Sequence, residues 1–502
     1  MAAEPQAARA QAPSAMARLG WLADRPRPYM FALVALIGAF VIGLAGASKT
    51  QLGIAALLGL ALITAVLLRP IVGGLVLVGA VPALSGLAPG LPVPHLRLSE
   101  VLIGVVGLSV LASVRRREAV AWSGLDWLLL AYGAAWAIFA SIDAVALHQS
   151  LTLTDWGTNL GQLQFFLIYR GVRVSVRTQG ERRLAVAVLV LSAVPVALLA
   201  LLQAMHVGPV VHLLSKITGG ASGLVPSAGS ASRATGPFAN WAVLAGYLLP
   251  LLLVLWSLTL CGEPRARHRA AWVVGLVLLT ALLLTEELSA IVFVLIGVVV
   301  LAASYGHRRK ALRLAALAVI AGGLVAAPFL GNRLNTEFSS SAGSGRHAGV
   351  PQTIQFRWEV WSSQYIPAIQ ARPLEGYGAT YPSTIQWPYP ESQYVAYLME
   401  GGIPVLALFA ALAWAMGKAS SKAARSEDPF ESALGRAALV SVIAMVVMNL
   451  IWPFLSNAGL PQVLWCLLAV TVDRRAPALA RYGSRASQIA LNPGLAGAGG
   501  LS

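Results

Sequence analysis

Charge is what this 502-residue chain lacks first. Asp, Glu, Lys and Arg make up 11% of it, against about 25% in an ordinary globular domain. With 57% hydrophobic residues and a mean hydropathy of +0.73, too few polar side chains are left to clothe a water-soluble surface. That excludes a soluble enzyme, a disordered chain and a collagen-like one. Cysteine is nearly absent: Cys261 and Cys466 alone make neither a disulfide framework nor a thiolate zinc site. Acids number 20 against 36 bases, a net charge of +16. Nucleic acid is one partner such a surplus suggests, but the bases stand in short clusters between apolar runs, which is the pattern of membrane topology. No glycine-rich nucleotide loop, His-Glu-x-x-His or Gly-x-Ser-x-Gly occurs in a usable context. ATP hydrolysis and zinc or serine proteolysis therefore have no support.

Long apolar stretches fill the chain instead. A spanning helix needs about 20 such residues, and about 14 candidates are found. They fall near 29–47, 51–68, 71–88, 99–114, 125–142, 153–171, 184–205, 239–260, 271–285, 287–304, 312–330, 392–417, 434–454 and 459–472. The expected fold is all-α: a polytopic transmembrane bundle of about 12–14 helices with one large outer loop carrying an amphipathic helix. A polar tail over 1–28, without the apolar core of a signal peptide, precedes a single transmembrane domain over 29–472. A Gly/Ala-rich tail over 473–502 follows.

Placing the N-terminus in the cytoplasm leaves only eight of the 36 Lys and Arg outside: Lys49, Arg97, Lys216, Arg233, Arg333, Arg346, Arg357 and Arg372. The opposite orientation violates the positive-inside rule at nearly every loop. Both termini are then cytoplasmic, and the protein is expected in a bacterial cytoplasmic (inner) membrane with its active face outward. Six of the eight outer cations lie in two outer loops, about 206–238 and 331–391. The first is Gly/Ser/Ala-rich and flexible by composition. In the second, Ile354, Trp358, Trp361, Tyr365, Ile366 and Ile369 recur at helical spacing, ended by Arg372-Pro373. An amphipathic helix on the outer leaflet and a Trp/Tyr belt at the headgroups are both consistent with that stripe.

Three outer stretches carry the chemistry. Arg233-Ala-Thr-Gly-Pro-Phe-Ala-Asn240 opens a span; Arg357-Trp-Glu-Val-Trp361 is followed by Arg372-Pro-Leu-Glu-Gly-Tyr-Gly378; and Pro390-Glu-Ser-Gln-Tyr394 leads into Leu398-Met-Glu-Gly-Gly-Ile-Pro404. In order and spacing these resemble the O-antigen ligase and O-antigen polymerase superfamily of bacterial membrane glycosyltransferases, over roughly residues 230–415. The resemblance implies transfer of a glycan from a polyprenyl-diphosphate donor to an acceptor hydroxyl on a glycan or lipid, inverting, without metal or other cofactor. Membrane lipids are the remaining partners, and no nucleic acid is expected.

The residues suit that chemistry independently. Arginine is the permanently charged, bidentate donor that grips a diphosphate, so Arg233 and Arg357, at the motif positions, are the expected clamps. Arg372 and Arg333 are weaker candidates, and for any outer arginine the plain alternative is a lipid phosphate. An acceptor hydroxyl needs a base. The ligases that the chain resembles place a histidine at the turn into the helix after the large loop; this sequence matches by position, not identity, with Glu391 there. A carboxylate serves if burial lifts it above its ordinary pKa of about 4.3; the alternative is a helix-start acid favoured by the dipole. Tyr394 lies one turn further on. Glu400, about 13–14 Å deeper and on the opposite face, reads as a structural hydrogen-bonding group unless Gly401, Gly402 and Pro404 distort the helix. One departure stands out. Family members show Ser-Arg in the outer turn that reads Thr285-Glu286-Glu287-Leu288-Ser289 here, which removes a cation, sets two acids where a diphosphate is expected, and makes Glu287 a competing base. The rival reading, a secondary transporter or lipid-linked glycan flippase, calls for broken helices in repeated halves, and no matching pair is seen. A polysaccharide polymerase is slightly favoured over a ligase by the Glu-for-His exchange.

Overall fold

The computed structural model describes residues 50–88, 97–113, 120–146, 160–218, 233–262, 265–306, 352–378, 381–457 and 459–472, with a few isolated positions between them. Sixteen α-helices occur among the described residues. They are α1 (Thr50–Leu68), α2 (Pro70–Leu84), α3 (Leu98–Ser113), α4 (Gly124–Ala146), α5 (Leu163–Ser175), α6 (Gln179–Leu191), α7 (Ala193–Ala204) and α8 (Gly208–Ile217). Then follow α9 (Trp241–Leu260), α10 (Arg265–Leu283), α11 (Leu288–Ser304), α12 (Gln352–Val360), α13 (Ile366–Ala371), α14 (Gln393–Ala424), α15 (Pro429–Met448) and α16 (Leu460–Thr471). Twelve of the fourteen expected spans fall on these helices; those at 29–47 and 312–330, and both tails, lie outside the described residues.

Four helical stretches are long and apolar enough to cross a membrane: Gln179–Ala204, Trp241–Leu260, Gln393–Ala424 and Pro429–Met448. Shorter apolar helices surround them. The core is built on α9, which packs against α10, α11, α15 and α16, and on α16, whose every residue is buried. Leucine, isoleucine, valine and tryptophan also stand on the outside, among them Leu58, Leu108, Ile138, Trp272, Leu276, Ile296 and Ile443. Water disfavours so continuous an apolar skin, and lipid does not.

The helix ends define two faces. At one, Arg182 opens α6, pairs with Glu431 at the start of α15 and donates from Nε to the Val470 carbonyl at 2.8 Å. Arg173 pairs with the fully buried Asp126 at the start of α4. At the other, Gln393 at the start of α14 donates its backbone N–H to Asn449 O at 2.8 Å. A Cβ at Gly246 of α9 would lie 3.1 Å from Phe454 and 3.3 Å from Leu460. The starts of α9, α14 and α16 therefore meet on the 449–459 loop. Arg357 approaches this end through Glu391, which directly precedes α14.

Two expectations change. Composition predicts a flexible loop over 206–238, yet Gly208–Ile217 is helical, anchored by buried Leu214 and by the Ala88 N–H on Ile217 O at 2.9 Å. The Gly/Ser-rich composition begins only at Gly219, so the argument from composition never applied to the apolar Pro209–Leu214. The stripe from Ile354 to Ile369 is helical but divided. Tyr365 is buried, Trp361 and Ile369 pack with it, while Ile354, Trp358 and Ile366 stand exposed. Residues Trp361–Tyr365 form a π-helical turn, and that extra residue per turn shifts the face partway along.

Candidate active site

Arg233 begins the first cluster. Its Nε lies 3.4 Å from Glu286 Oε2, and its guanidinium sits over Trp241 at 4.6 Å from the ring centroid. The motif that follows is held from α7. Buried Gln203 accepts at Oε1 from the Thr235 N–H at 3.0 Å and the Gly236 N–H at 2.7 Å, while its Nε2 donates to Thr235 Oγ1 at 3.1 Å. Gly236 has φ +54, a left-handed conformation that glycine adopts without strain. Asn240 caps α9, accepting from the Val243 N–H at 2.9 Å. The Ala234 N–H donates to Leu284 O at 2.9 Å, which brings the turn between α10 and α11 alongside. That turn is where the sequence shows acids in place of a cation. Glu286, buried and left-handed at φ +54, faces Arg233. Glu287 instead accepts from Ser289 Oγ at 2.7 Å, at the start of α11.

Arg357 begins the second cluster. Its Nε lies 3.4 Å from Oε2 of Glu391, a carboxylate that is only 8% exposed and again left-handed, at φ +55. Trp387 Nε1 donates to the other oxygen, Oε1, at 3.4 Å. Such a backbone conformation in a residue with a side chain is uncommon and persists where its surroundings fix it. They do so here. The segment Gln386-Trp387-Pro388-Tyr389-Pro390 has two prolines without N–H groups, and the π-helical turn bonds four of its other backbone groups. Gln364 Oε1 accepts from the N–H of Gln386 at 2.8 Å and of Trp387 at 3.1 Å. Tyr365 Oη donates to Trp387 O at 2.7 Å, and Trp361 Nε1 to Pro390 O at 2.7 Å. π-helical turns often mark functional sites.

Glu391 does not cap α14. The N-cap is Ser392, without a side-chain cap bond, and the Glu391 carboxylate is turned to Arg357 and Trp387 instead. Glu400 accepts from Tyr381 Oη at 2.9 Å, so it is engaged with the loop that folds over α14. The helix does break, but beyond it: Gly402 has φ +63 and ψ −162. The sequence reading kept Glu400 out of the groove of Glu391, yet the loop aromatics connect the two. Tyr365 and Tyr381 stack edge to face at 6.1 Å. Burial, then both carboxylates, push the Tyr365 hydroxyl above its ordinary range; burial and Glu400 push Tyr381 well up. Both phenols thus stay protonated donors.

The motif at 373–378 has a packing explanation. A Cβ at Gly376 would lie 2.6 Å from Met399 O, and one at Gly402 would strike the Leu374 carbonyl. Ile403 donates its N–H to Pro373 O at 2.9 Å. Pro-Leu-Glu-Gly-Tyr-Gly and Met-Glu-Gly-Gly are therefore two sides of one backbone contact. Arg372 lies 3.7 Å from Glu375 and over Tyr377. Tyr394 donates to Val446 O of α15 at 2.7 Å and packs on Phe409. Arg333 lies outside the described residues. Among the described residues, no three His, Cys, Asp or Glu side chains gather to hold a metal.

Sequence reasoning missed Glu286 as the partner of Arg233 and Gln203 as its support. A lone glutamine in the apolar run Leu201-Leu202-Gln203-Ala204 was the available signal, since a buried amide demands partners.

An all-helical bundle with an apolar outer band and paired arginines at one end defines a polytopic membrane protein with a polar site at its rim. Residues 273–410 match the family model described as O-antigen ligase, so that segment is similar to this family. It holds Glu286, Arg357, Glu391 and Glu400, while Arg233 lies ahead of it. No curated protein matches the chain.

Proposed function

We propose that the protein transfers a glycan from a polyprenyl diphosphate to an acceptor hydroxyl at the outer face of a bacterial cytoplasmic membrane. Supporting this is one observation above all: two arginines are each built in beside a largely buried carboxylate, Arg233 with Glu286 and Arg357 with Glu391. Each carboxylate occupies a place that a phosphate can take, because both present a pair of anionic oxygens to a guanidinium. The acceptor oxygen bonds to the anomeric carbon as the bond from that carbon to the diphosphate oxygen breaks. The proton passes to Glu391, and the leaving polyprenyl diphosphate carries its charge away on Arg233 and Arg357. Diphosphate binding draws Arg357 off Glu391 and frees the base at the moment it is needed. Stabilising charge on the leaving group is worth about 10²–10³ in rate per donor at comparable sites.

Arg372, tied to Glu375, and Glu287, tied to Ser289, are second-choice members of this machinery, as is Tyr394, whose hydroxyl is spent on α15. Glu400 holds the loop through Tyr381. The test is direct. Proteoliposomes holding the full chain and a lipid-linked glycan should release polyprenyl diphosphate and elongate or load the acceptor. Movement of the glycan lipid across the bilayer without that release would establish a flippase instead.

A further inference from the structure

We propose that Trp387 and Tyr389 form the acceptor's sugar subsite, an exposed aromatic ledge on which a pyranose ring stacks beside Glu391. This rests on reading Glu391 as the base. The two rings lie 5.6 Å apart at 67°, and Phe356 backs Trp387 edge to face at 5.3 Å. Tyr389 is 61% exposed and Trp387 38%, yet the ledge is fixed. Gln364 and Tyr365 hold both backbone polar groups of Trp387, and prolines flank Tyr389 on either side. A surface already in place binds without an ordering cost.

The orientation of Trp387 identifies the occupant. A tryptophan serving a membrane belt sits at the headgroup level with its polar edge in the wet layer. Trp387 turns its N–H the other way, onto a buried carboxylate, and presents ring surface outward. An aromatic face is electron-rich, and the C–H bonds on one face of a pyranose carry the complementary slight positive charge. Hydroxyls around the sugar's edge then reach Glu391. The arginines serve the diphosphate and offer a neutral ring little; the ledge offers a phosphate nothing. The two substrates are thereby sorted by chemistry: the charged leaving group on the guanidinium groups, the neutral acceptor sugar on the indole and phenol.

Equilibrium dialysis tests this with the full-length protein in detergent and radiolabelled oligosaccharide freed by mild acid from the host's lipid-linked glycan. Tyr389→Ala, at an exposed position whose ring meets Trp387, should weaken binding about five- to tenfold, the worth of an aromatic contact. Trp387→Leu should do the same, while Trp387→Phe, which keeps a ring, should stay within about threefold. Glu391→Gln should keep the affinity. Unchanged binding in both Tyr389→Ala and Trp387→Leu, or no binding to the wild type at millimolar sugar, overturns the ledge. Glu391→Gln with full turnover while Tyr389→Ala loses the sugar would instead leave the ledge standing and remove the base.

Discussion

The two arginine–glutamate pairs look alike and are built differently. Both glutamates are left-handed, at φ +54 and +55, and both ion pairs measure 3.4 Å. The Arg233 pair stands on the core. Gln203 of α7, Asn240 of α9 and the Leu284 carbonyl lock its motif to three helices. The Arg357 pair stands on a loop. Its glutamate is positioned by the side chains of one π-helical turn acting on five irregular residues. A core-built charge is suited to holding a substrate in one place. A loop-built one is suited to changing partners, as a base must when it leaves an arginine for a proton.

The sharpest way to break the likeness is to neutralise each acid. Glu391→Gln should lower turnover by about 10²–10⁴, because the proton acceptor is lost. Glu286→Gln should leave turnover within about threefold, since the amide keeps the size of a group that takes no proton in the reaction. Rates of polyprenyl diphosphate release from proteoliposomes decide it; equal losses would make the two pairs equivalent. The arginines come next. Arg233→Lys and Arg357→Lys should each lose about 10²–10³ in turnover despite the conserved charge, as an ammonium cannot span two phosphate oxygens. Wild-type turnover in either variant, at normal expression, removes that residue from the clamp.

How far the sequence carried these pairs also differs. Hydropathy and charge located most of the described helices, and the motif order pointed to Arg233, Arg357 and Glu391 before any fold was known. The partners were not legible. Glu286 counted as an obstacle because its left-handed turn, which aims it at Arg233, depends on the contact between Ala234 and Leu284 across about fifty residues of chain. The split of the stripe from Ile354 to Ile369 was equally hidden, since a π-helical turn leaves a continuous helical period on either side of it. Gly376 and Gly402 were legible as a motif, but not as each other's reason.

The supports should yield smaller effects of two distinct kinds. Gln203→Leu leaves the buried N–H groups of Thr235 and Gly236 unpaired, at about 1–3 kcal/mol each. Thermal unfolding should move down accordingly, with activity falling in step. Trp361→Phe removes only the N–H on Pro390 O, so turnover should drop about tenfold, within the same range of energies. Its unfolding temperature should move less than that of Gln203→Leu, and donor KM should stay put. A raised donor KM in Trp361→Phe would mean that the π-helical turn supports binding rather than the base.

The smallest expected effect is none at all. Chelation by EDTA should leave turnover unchanged, and the reason lies in how the pairs use their acids. A divalent ion such as Mg²⁺ needs carboxylates free to approach together at about 2.1 Å. Two of the described acids, Glu286 and Glu391, face arginines. Glu287 accepts from Ser289, Glu375 faces Arg372, and Glu400 accepts from Tyr381. For a metal to enter, a pair would have to open and give up its carboxylate, and the freed guanidinium would then repel the same cation. Diphosphate binding opens the pairs in the opposite sense, bringing anionic charge to the arginines. Turnover measured with EDTA, then with added Mg²⁺ or Mn²⁺, separates the two. Loss on chelation with recovery on either ion would mean that the glutamates are ligands held in reserve, and that the arginines merely keep them.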